Sequence, residues 1–331
     1  MKFNKPILPV TLLRLCVSAC AALACLGVQA QGAFPSKPIT MLLPLAAGSA
    51  GDVALRVVAQ KMTENMKQSV VIENQPGVAG LLGTERIARA APDGYLIGGI
   101  GDSVLNFAAN LAPKLNFDPL NDLEPIALVA NIPWTLVVNP AFGTKSLNEF
   151  VQKAKAAPGV VDYGSTGNGS ASHVGMEMLA AKAAIKLNHI PYKGATPAVT
   201  GVVGGQVPAV FSAVSLVLPY VKTGKLIALG VPSPQRSPLM PDVPTFAEAG
   251  FADFNFVTWV ALFAPRGTPK PIIERLHAET AKALSDSGVR ERLLALGLEP
   301  RASTPEQLGQ IVRSGHARVA AIIRDAKIKG E

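Results

Sequence analysis

Two loops rich in glycine and serine contain the residues of this sequence that are best suited to chemistry. The loops span 44–52 and 163–173, and each lies between an apolar strand pattern and a helical pattern. Small residues let a ligand approach the backbone, and the first amides of the following helix favour an anion because they lack intrahelical acceptors. The second loop adds hydroxyl donors at Ser165, Thr166, Ser170 and Ser172. The loops indicate binding of a small anion; the alternative is a pair of serine-capped turns that bind nothing.

Asp102 is a third candidate, because it directly follows a predicted strand, between Gly101 and Ser103. Ligands of open α/β sheets bind at the carboxyl ends of strands. A carboxylate facing an anionic ligand repels it, so Lys193 could neutralise Asp102, or Asp102 could be protonated, or the ligand could carry a positive or amide group. We favour the third possibility. In the remaining alternative, Asp102 points to solvent or caps the next turn.

The motifs of several enzyme classes are absent. The chain has no Gly-x-Gly-x-x-Gly, no Gly-x-Ser-x-Gly and no P-loop, and its four histidines lack metal-ligand spacing. We therefore predict no catalysis, no cofactor and no metal. One alternative is an α/β hydrolase in which His173 activates Ser170.

The first 30 residues have the pattern of a cleavable signal peptide. Basic residues precede a short apolar run, and the small-residue ending predicts cleavage after Ala30. Lipid attachment at Cys20 is the alternative. All three cysteines, Cys16, Cys20 and Cys25, lie in this segment, so cleavage excludes disulfides from the mature chain. We expect export to the periplasm.

The charge pattern argues against a nucleic-acid partner. Removing Lys2, Lys5 and Arg14 with the signal peptide lowers the formal net charge from +8 to +5. The remaining basic residues are scattered and are not interleaved with aromatic residues.

Strand and helix patterns alternate along the mature chain, which predicts parallel strands joined by right-handed crossovers. Strands are predicted at 39–44, 70–72, 95–100, 160–163, 188–191, 210–211 and 226–231, and helices at 52–66, 80–91, 146–157, 195–203, 215–222, 269–284 and from 304, with a short one at 245–250. Capping boxes at 146–149 and 304–307 open two of these helices. Two extended segments, 134–139 and 254–264, bracket the middle of the chain. We interpret them as two crossings between lobes, with 31–134 plus 255–331 as lobe 1 and 135–254 as an inserted lobe 2.

Short stretches along the whole mature chain carry a family resemblance. They read FPSKPIT (34–40), ENQPG (73–77), APDGY (91–95), FDPL (117–120), VVNP (137–140), YGS (163–165), IPYKG (190–194), KTGK (222–225) and LFAP (262–265). In this order they resemble the extracytoplasmic solute receptors of tripartite tricarboxylate transporters, the Bug-type periplasmic binding proteins.

The resemblance implies an α/β fold of the two-lobe, type II periplasmic-binding-protein kind. Each lobe would be a mixed, mostly parallel sheet flanked by helices, and the lobes would close like a clamshell. A small carboxylate would bind in the interlobe cleft and be delivered by a monomer to the membrane permease of the transporter. A ligand sensor that presents the closed state to a signalling partner is the alternative.

The resemblance also assigns site residues. They are Ala47, Gly48, Ser49 and Asp52 in the first loop, Ser165, Thr166, Gly167, Asn168 and Gly169 in the second, and Lys193, Gly194, Ala195 and Trp259 on the cleft walls. The chain departs from the family pattern at 48–52, at Asp102 and at Ser212, which also belongs to the predicted site. Because of these departures, the ligand is left open among dicarboxylates, tricarboxylates, aromatic acids and amino acids.

Overall fold

Most of the strands are apolar runs that end at glycine, proline or polar residues. The strands are β1 (Ile39–Leu43), β2 (Val70–Asn74), β3 (Leu96–Gly101), β4 (Leu123–Val138), β5 (Asp162–Ser165), β6 (Asn188–Pro191), β7 (Ala209–Ala213), β8 (Ile227–Gly230), β9 (Val257–Pro265) and β10 (Glu299–Pro300). Of these, β5, β6 and β10 are largely polar. The computed structural model describes residues 34–112, 114–325 and 328. The predicted signal peptide, its cleavage site after Ala30 and the Cys20 alternative lie outside the described residues.

Helices follow most strands, as the alternating pattern predicts. They are α1 (Ala50–Met66), α2 (Leu81–Ala88), α3 (Ala109–Leu111), α4 (Leu147–Ala156), α5 (Ala171–Ala183), α6 (Ala195–Val203), α7 (Val214–Lys222), α8 (Lys270–Ser285), α9 (Ser287–Ala295) and α10 (Pro305–Asp325). A π-helical turn, Ser103–Ala108, leads directly into α3. Among the described residues, no helix combines the length and the apolar character needed to cross a bilayer.

The helix boundaries follow from local capping. Ser146 Oγ accepts a hydrogen bond from Glu149 N at 3.2 Å, and α4 begins at the next residue. Thr304 Oγ1 accepts from Gln307 N at 3.2 Å, while Gln307 Oε1 accepts from Thr304 N at 3.0 Å. These bonds satisfy amides that have no partner within the helix. The predicted box at Thr304 is confirmed in full. At Ser146 the cap is confirmed, but Glu149 Oε2 accepts from Lys145 N at 2.6 Å instead of from Ser146 N.

The sheet is mixed. Parallel pairs join β1 to β2 and β3, and β5 to β6 and β7. The antiparallel pairs all involve β4 or β9. The strand order is β2-β1-β3-β9-β4-β7-β5-β6, with β8 and β10 also paired to β4. Two groups of parallel strands therefore lie on either side of an antiparallel centre, and helices flank them in an α/β fold.

Strand β4 belongs to both groups. Its residues 123–133 pair with β9, and from Trp134 to Val138 it pairs with β7. The sequence predicts only the second half of this strand, as the extended segment 134–139. The first half is interrupted by prolines, and bulges in its pairing with β9 accommodate the irregular register.

Separate apolar clusters surround the two ends of β4. One contains Leu42, Ile100, Trp259 and Phe263. The other is rich in aromatic rings and contains Phe150, Tyr163, Phe211 and Phe246. A Cβ on Gly175 of α5 would lie 2.4 Å from Phe211, so the glycine lets this helix approach β7 closely.

Helix α10 packs on the π-helical turn and on β4. Leu308 and Val312 in its first half join the Trp259 cluster. Val319, nearer its end, is buried in the aromatic cluster. The last helix therefore contacts both apolar clusters.

Candidate functional site

The first predicted loop joins β1 to α1 and is closed by the buried carboxylate of Asp52. Asp52 Oδ2 accepts from Gly48 N at 2.9 Å and from Arg56 Nε at 3.0 Å, and Oδ1 accepts from Asn74 Nδ2 at 2.8 Å. Ser49 Oγ caps the helix by accepting from Asp52 N at 3.4 Å. Burial alone raises the pKa of Asp52, but the bonds from Arg56, Asn74 and Gly48 outweigh it and lower the pKa. The Asp52 carboxylate is therefore ionised, and its oxygens are hydrogen-bonded to groups of the protein itself.

The exposed part of this loop is its backbone. Ala47 and Gly48 are exposed, and Gly48 has a φ of +77° with no atom near the position that a Cβ would take. Glycine adopts this left-handed conformation without strain. Asp52 holds the loop, while the backbone at Ala47 and Gly48 is accessible.

Asp102 lies immediately after β3, but it neither faces solvent nor caps the next turn. It is 2% exposed, and its side chain makes no capping bond. Asp102 Oδ1 accepts from Asn106 Nδ2 at 2.5 Å. Among the described residues, Asp102 Oδ2 and Asn106 Oδ1 have no hydrogen-bond partner.

The pKa of Asp102 is raised by burial to about 7, against the opposing effects of the Asn106 bond and the charge on Arg318. The cation that acts on it is thus Arg318 of α10. Lys193, suggested by the sequence, is exposed and makes no such contribution. Near neutral pH a substantial fraction of Asp102 is therefore protonated, which is the second of the three possibilities considered from the sequence.

The second predicted loop, between β5 and α5, is held by its own hydroxyls. Ser165 is fully buried; its Oγ accepts from Gly167 N at 3.1 Å and lies 3.1 Å from Gly167 O and 2.5 Å from His189 Nε2. Thr166 N donates to Ser172 Oγ at 2.8 Å, and Ser172 Oγ lies 3.2 Å from Thr166 Oγ1. Ser165 is occupied within the loop, whereas the Thr166 hydroxyl can accept from Ser172 and keep its own proton for another acceptor.

The geometry does not form a serine hydrolase dyad at Ser170 and His173. Ser170 Oγ caps α5 by accepting from the His173 backbone N at 3.3 Å. The His173 ring uses Nδ1 to accept from Gly169 N at 3.0 Å. The imidazole is therefore bonded to the loop backbone, while Ser170 bonds to an amide instead of to a base.

The predicted cleft-wall residues lie on different elements. Lys193 is exposed, and Gly194, with a φ of +115°, precedes α6 without a side-chain cap. Ala195 begins that helix. Ser212 is buried on β7, paired with β4, and Trp259 is 6% exposed within the apolar cluster around β9.

Strand pairing brings these residues into two groups. The parallel strands β1 and β3 place the 44–52 loop beside Asp102. The parallel strands β5, β6 and β7 place the 165–169 segment beside 192–195 and Ser212. The two groups approach each other beside α3, where a Cβ on Gly169 would lie 2.6 Å from Leu111 Cδ1.

Some residues that shape these loops were not identified from the sequence. They are Asn74, Asn106, Leu111, His189 and Arg318. Asn106 sits four residues after Asp102, which is a detectable helical spacing. The others reach their partners across elements, so local spacing carries no signal for them.

A separate cavity of about 240 Å³ lies between β4, β9 and α10. Its lining includes Glu124, Arg266 and Arg313, and none of the predicted site residues lines it. Within 34–112, 114–325 and 328, no three His, Cys, Asp or Glu side chains are grouped to hold a metal ion.

Comparison with known proteins identifies the family. The model of the tripartite tricarboxylate transporter family receptor matches residues 54–328. The structure of the periplasmic binding protein BugD aligns at a TM-score of 0.83 with 31% identity, over 90% of this chain and 100% of BugD. MatC from Rhodopseudomonas palustris with bound malate aligns at 0.81 with 32% identity, over 88% and 100% of the two chains. An R. palustris protein solved with adipate aligns at 0.85 with 26% identity, over 90% and 100%.

These matches confirm the predicted periplasmic-binding-protein fold and the family resemblance. The chain therefore belongs to the tripartite tricarboxylate transporter receptor family, which includes periplasmic binding proteins.

Proposed function

We propose that this protein captures a small dicarboxylate between the 44–52 and 163–173 loops and delivers it to the membrane permease of a tripartite tricarboxylate transporter. The approach of Gly169 to Leu111 carries the proposal, because it sets the start of α5 opposite the segment that follows β3. A ligand with a carboxylate at each end can then contact both groups of strand ends. Solved relatives with malate and adipate support this ligand class.

The donors for one carboxylate come from the start of α5. The Ser170 side chain satisfies the His173 amide, which leaves the amides of Ala171 and Ser172 at the positive end of the helix dipole. The Thr166 hydroxyl retains a proton that it can donate. For the opposite carboxylate we propose the exposed backbone amide of Ala47, beside Gly48, whose own amide donates to Asp52. In this arrangement Asp52 and Ser165 support the loops from behind.

We propose that binding closes two lobes, 31–134 plus 255–331 and 135–254. The change of partners along β4 at Trp134 supports a hinge there. Trp134 Nε1 donates to Thr258 Oγ1 at 2.8 Å, which joins the two crossing strands. Once ligand is present, its contacts with both lobes stabilise the closed state of the hinge. The protein acts as an exported monomer in the periplasm and performs no catalysis.

A thermal-shift series tests this function. Malate, adipate and succinate are the probes, and acetate is the control with a single carboxylate. A dicarboxylate at a hundred times its Kd should stabilise the protein by about 2.7 kcal/mol. For a chain of 331 residues this corresponds to a rise in Tm of roughly 4 °C. Equal and negligible shifts with all four acids would refute the dicarboxylate proposal.

Thr166→Val tests the proposed donor. Removing a hydrogen bond to a charged carboxylate costs about 1.5–3 kcal/mol, so the Kd measured by calorimetry should rise at least tenfold. Thr200→Val is the matched control, because Thr200 is exposed on α6 and bonds only to its own helix. A normal Kd in Thr166→Val would remove this residue from the site.

A further inference from the structure

Two histidines lie face to face beneath the 165–169 segment of the second loop. The rings of His173 and His189 are 3.9 Å apart between centroids, with an interplanar angle of 6°. Tyr163 on β5 stacks against His189 at 5.0 Å and against His173 at 6.5 Å. The three rings thus form one partly buried stack that joins β5, β6 and α5. Its members come from three consecutive elements of the chain, and both imidazoles are bonded to the same short loop.

Each imidazole holds a different point of that loop. His173 Nδ1 accepts from Gly169 N at 3.0 Å. His189 Nε2 lies 2.5 Å from Ser165 Oγ, and Ser165 Oγ in turn contacts both backbone polar groups of Gly167. Gly167 and Gly169 have φ values of +124° and +69°. The rings therefore hold both of the left-handed glycines that give the loop its shape.

The hydrogen bonds select one tautomer for each ring. His173 must leave Nδ1 unprotonated in order to accept from Gly169, so its proton is on Nε2. His189 completes the Ser165 network by donating from Nε2, because Ser165 then donates to Gly167 O and accepts from Gly167 N. All these groups are satisfied when both rings are neutral.

The surroundings also favour neutral rings. Burial lowers the pKa of His173. Burial and the neighbouring His173 lower the pKa of His189 to about 4, against a smaller opposing effect of Glu177. Glu177 on α5 also accepts from the Tyr163 hydroxyl at 2.6 Å. In the described part of the chain, Tyr163 and Glu177 are the titratable groups that face the histidine pair.

We propose that His173 and His189 are positioning residues that hold the 165–169 segment in its carboxylate-receiving conformation while His173 is neutral. This inference rests on the proposed function. Protonating His173 would place Nδ1–H against Gly169 N–H, so two donors would face each other and the bond would be lost. Ligand affinity should therefore be retained above the ordinary histidine pKa and should fall as pH drops through the lowered pKa of His173.

Conservative and disruptive variants of both residues test the proposal by calorimetry with malate and adipate. His173→Asn keeps an acceptor near the Nδ1 position, and His189→Gln keeps a donor near Nε2. At pH 8 the Kd of both variants should stay within about threefold of the wild-type Kd. In His173→Leu and His189→Leu the Kd should rise about tenfold, as expected for one or two lost hydrogen bonds. Leucine variants that bind like the wild type would overturn the proposal.

The pH profile separates positioning from simple packing. Between pH 8 and pH 5, His173→Asn should lose less affinity than the wild type, because asparagine does not titrate. His277→Gln is the matched control, since His277 lies on α8 and its Nε2 is 3.1 Å from Ser303 O. It should reproduce the wild-type profile. Identical profiles for the wild type and His173→Asn would refute the protonation step.

Nitrogen NMR of the ligand-free protein tests the same inference without any carboxylate. Both imidazoles should be neutral Nε2–H tautomers at pH 7, and hydrogen exchange of the Gly169 amide should accelerate in His173→Leu. A proton on Nδ1 of His173 at pH 7 would overturn the inference. If these spectra agree but no dicarboxylate binds, the proposed ligand class fails while the positioning of the loop stands.

Discussion

Replacing Asp102 by asparagine tests the electrostatics of the turn that follows β3. Burial raises the pKa of Asp102 from 3.8 to about 7, opposed by the Asn106 bond and by the charge on Arg318. The folded protein thus binds this proton more tightly than the unfolded chain does. Asp102 therefore begins to destabilise the fold as pH rises above 3.8, and the full effect is reached above pH 7.

The expected magnitude follows from the same values. A pKa difference of about three corresponds to about 4 kcal/mol above pH 7. Asparagine keeps the shape of the side chain, does not ionise, and can donate to Asn106 Oδ1, which has no partner among the described residues. We expect Asp102→Asn to raise the free energy of unfolding by about 2–4 kcal/mol at pH 8, and by clearly less at pH 5.

Urea unfolding of the wild type and the variant at pH 5 and pH 8 measures this difference. Asp52→Asn is the matched control with the opposite sign, because the Asp52 carboxylate accepts from Gly48, Arg56 and Asn74 and its pKa is lowered. It should destabilise the protein at pH 8. If Asp102→Asn lowers the free energy of unfolding more at pH 8 than at pH 5, Asp102 is ionised and paired, and the reasoning fails.

Two further substitutions test packing around the site. A Cβ on Gly315 would lie 2.4 Å from Asn106 Nδ2, so Gly315→Ala should destabilise the protein by about 1–3 kcal/mol in urea unfolding. Gly309→Ala is the milder control, because the closest contact of its Cβ would be 3.4 Å. Equal destabilisation by the two variants would contradict a steric clash at Gly315. Trp134→Phe removes the bond to Thr258 Oγ1 and should lower the free energy of unfolding by about 1 kcal/mol. Adding Thr258→Val to this variant should lower it little further, because the bond is already lost. If the effects of the two substitutions simply add, the bond contributes nothing.

Local sequence was sufficient where a residue's partner lies within one turn of chain. The caps at Ser146 and Thr304 form as predicted, and Ser49 caps α1 in the same way, because each hydroxyl bonds an amide three residues later. The 245–248 segment shows the limit. Thr245 and Glu248 make both bonds of a capping box, but the segment forms turns instead of the predicted helix. A cap satisfies amides without supplying the packing that stabilises a helix.

The sequence by itself determined the family, the alternation of strands and helices and the two loops with their glycines. All of these depend on residue type and short spacing. Only the tertiary structure decided the environments of the side chains in those loops. The sequence left Asp102 between solvent and cleft, but the packing of α10 buries it near Arg318. His189 reaches Ser165 only because β6 pairs with β5. Burial and contacts across strands depend on how distant segments pack, so no local spacing encodes them.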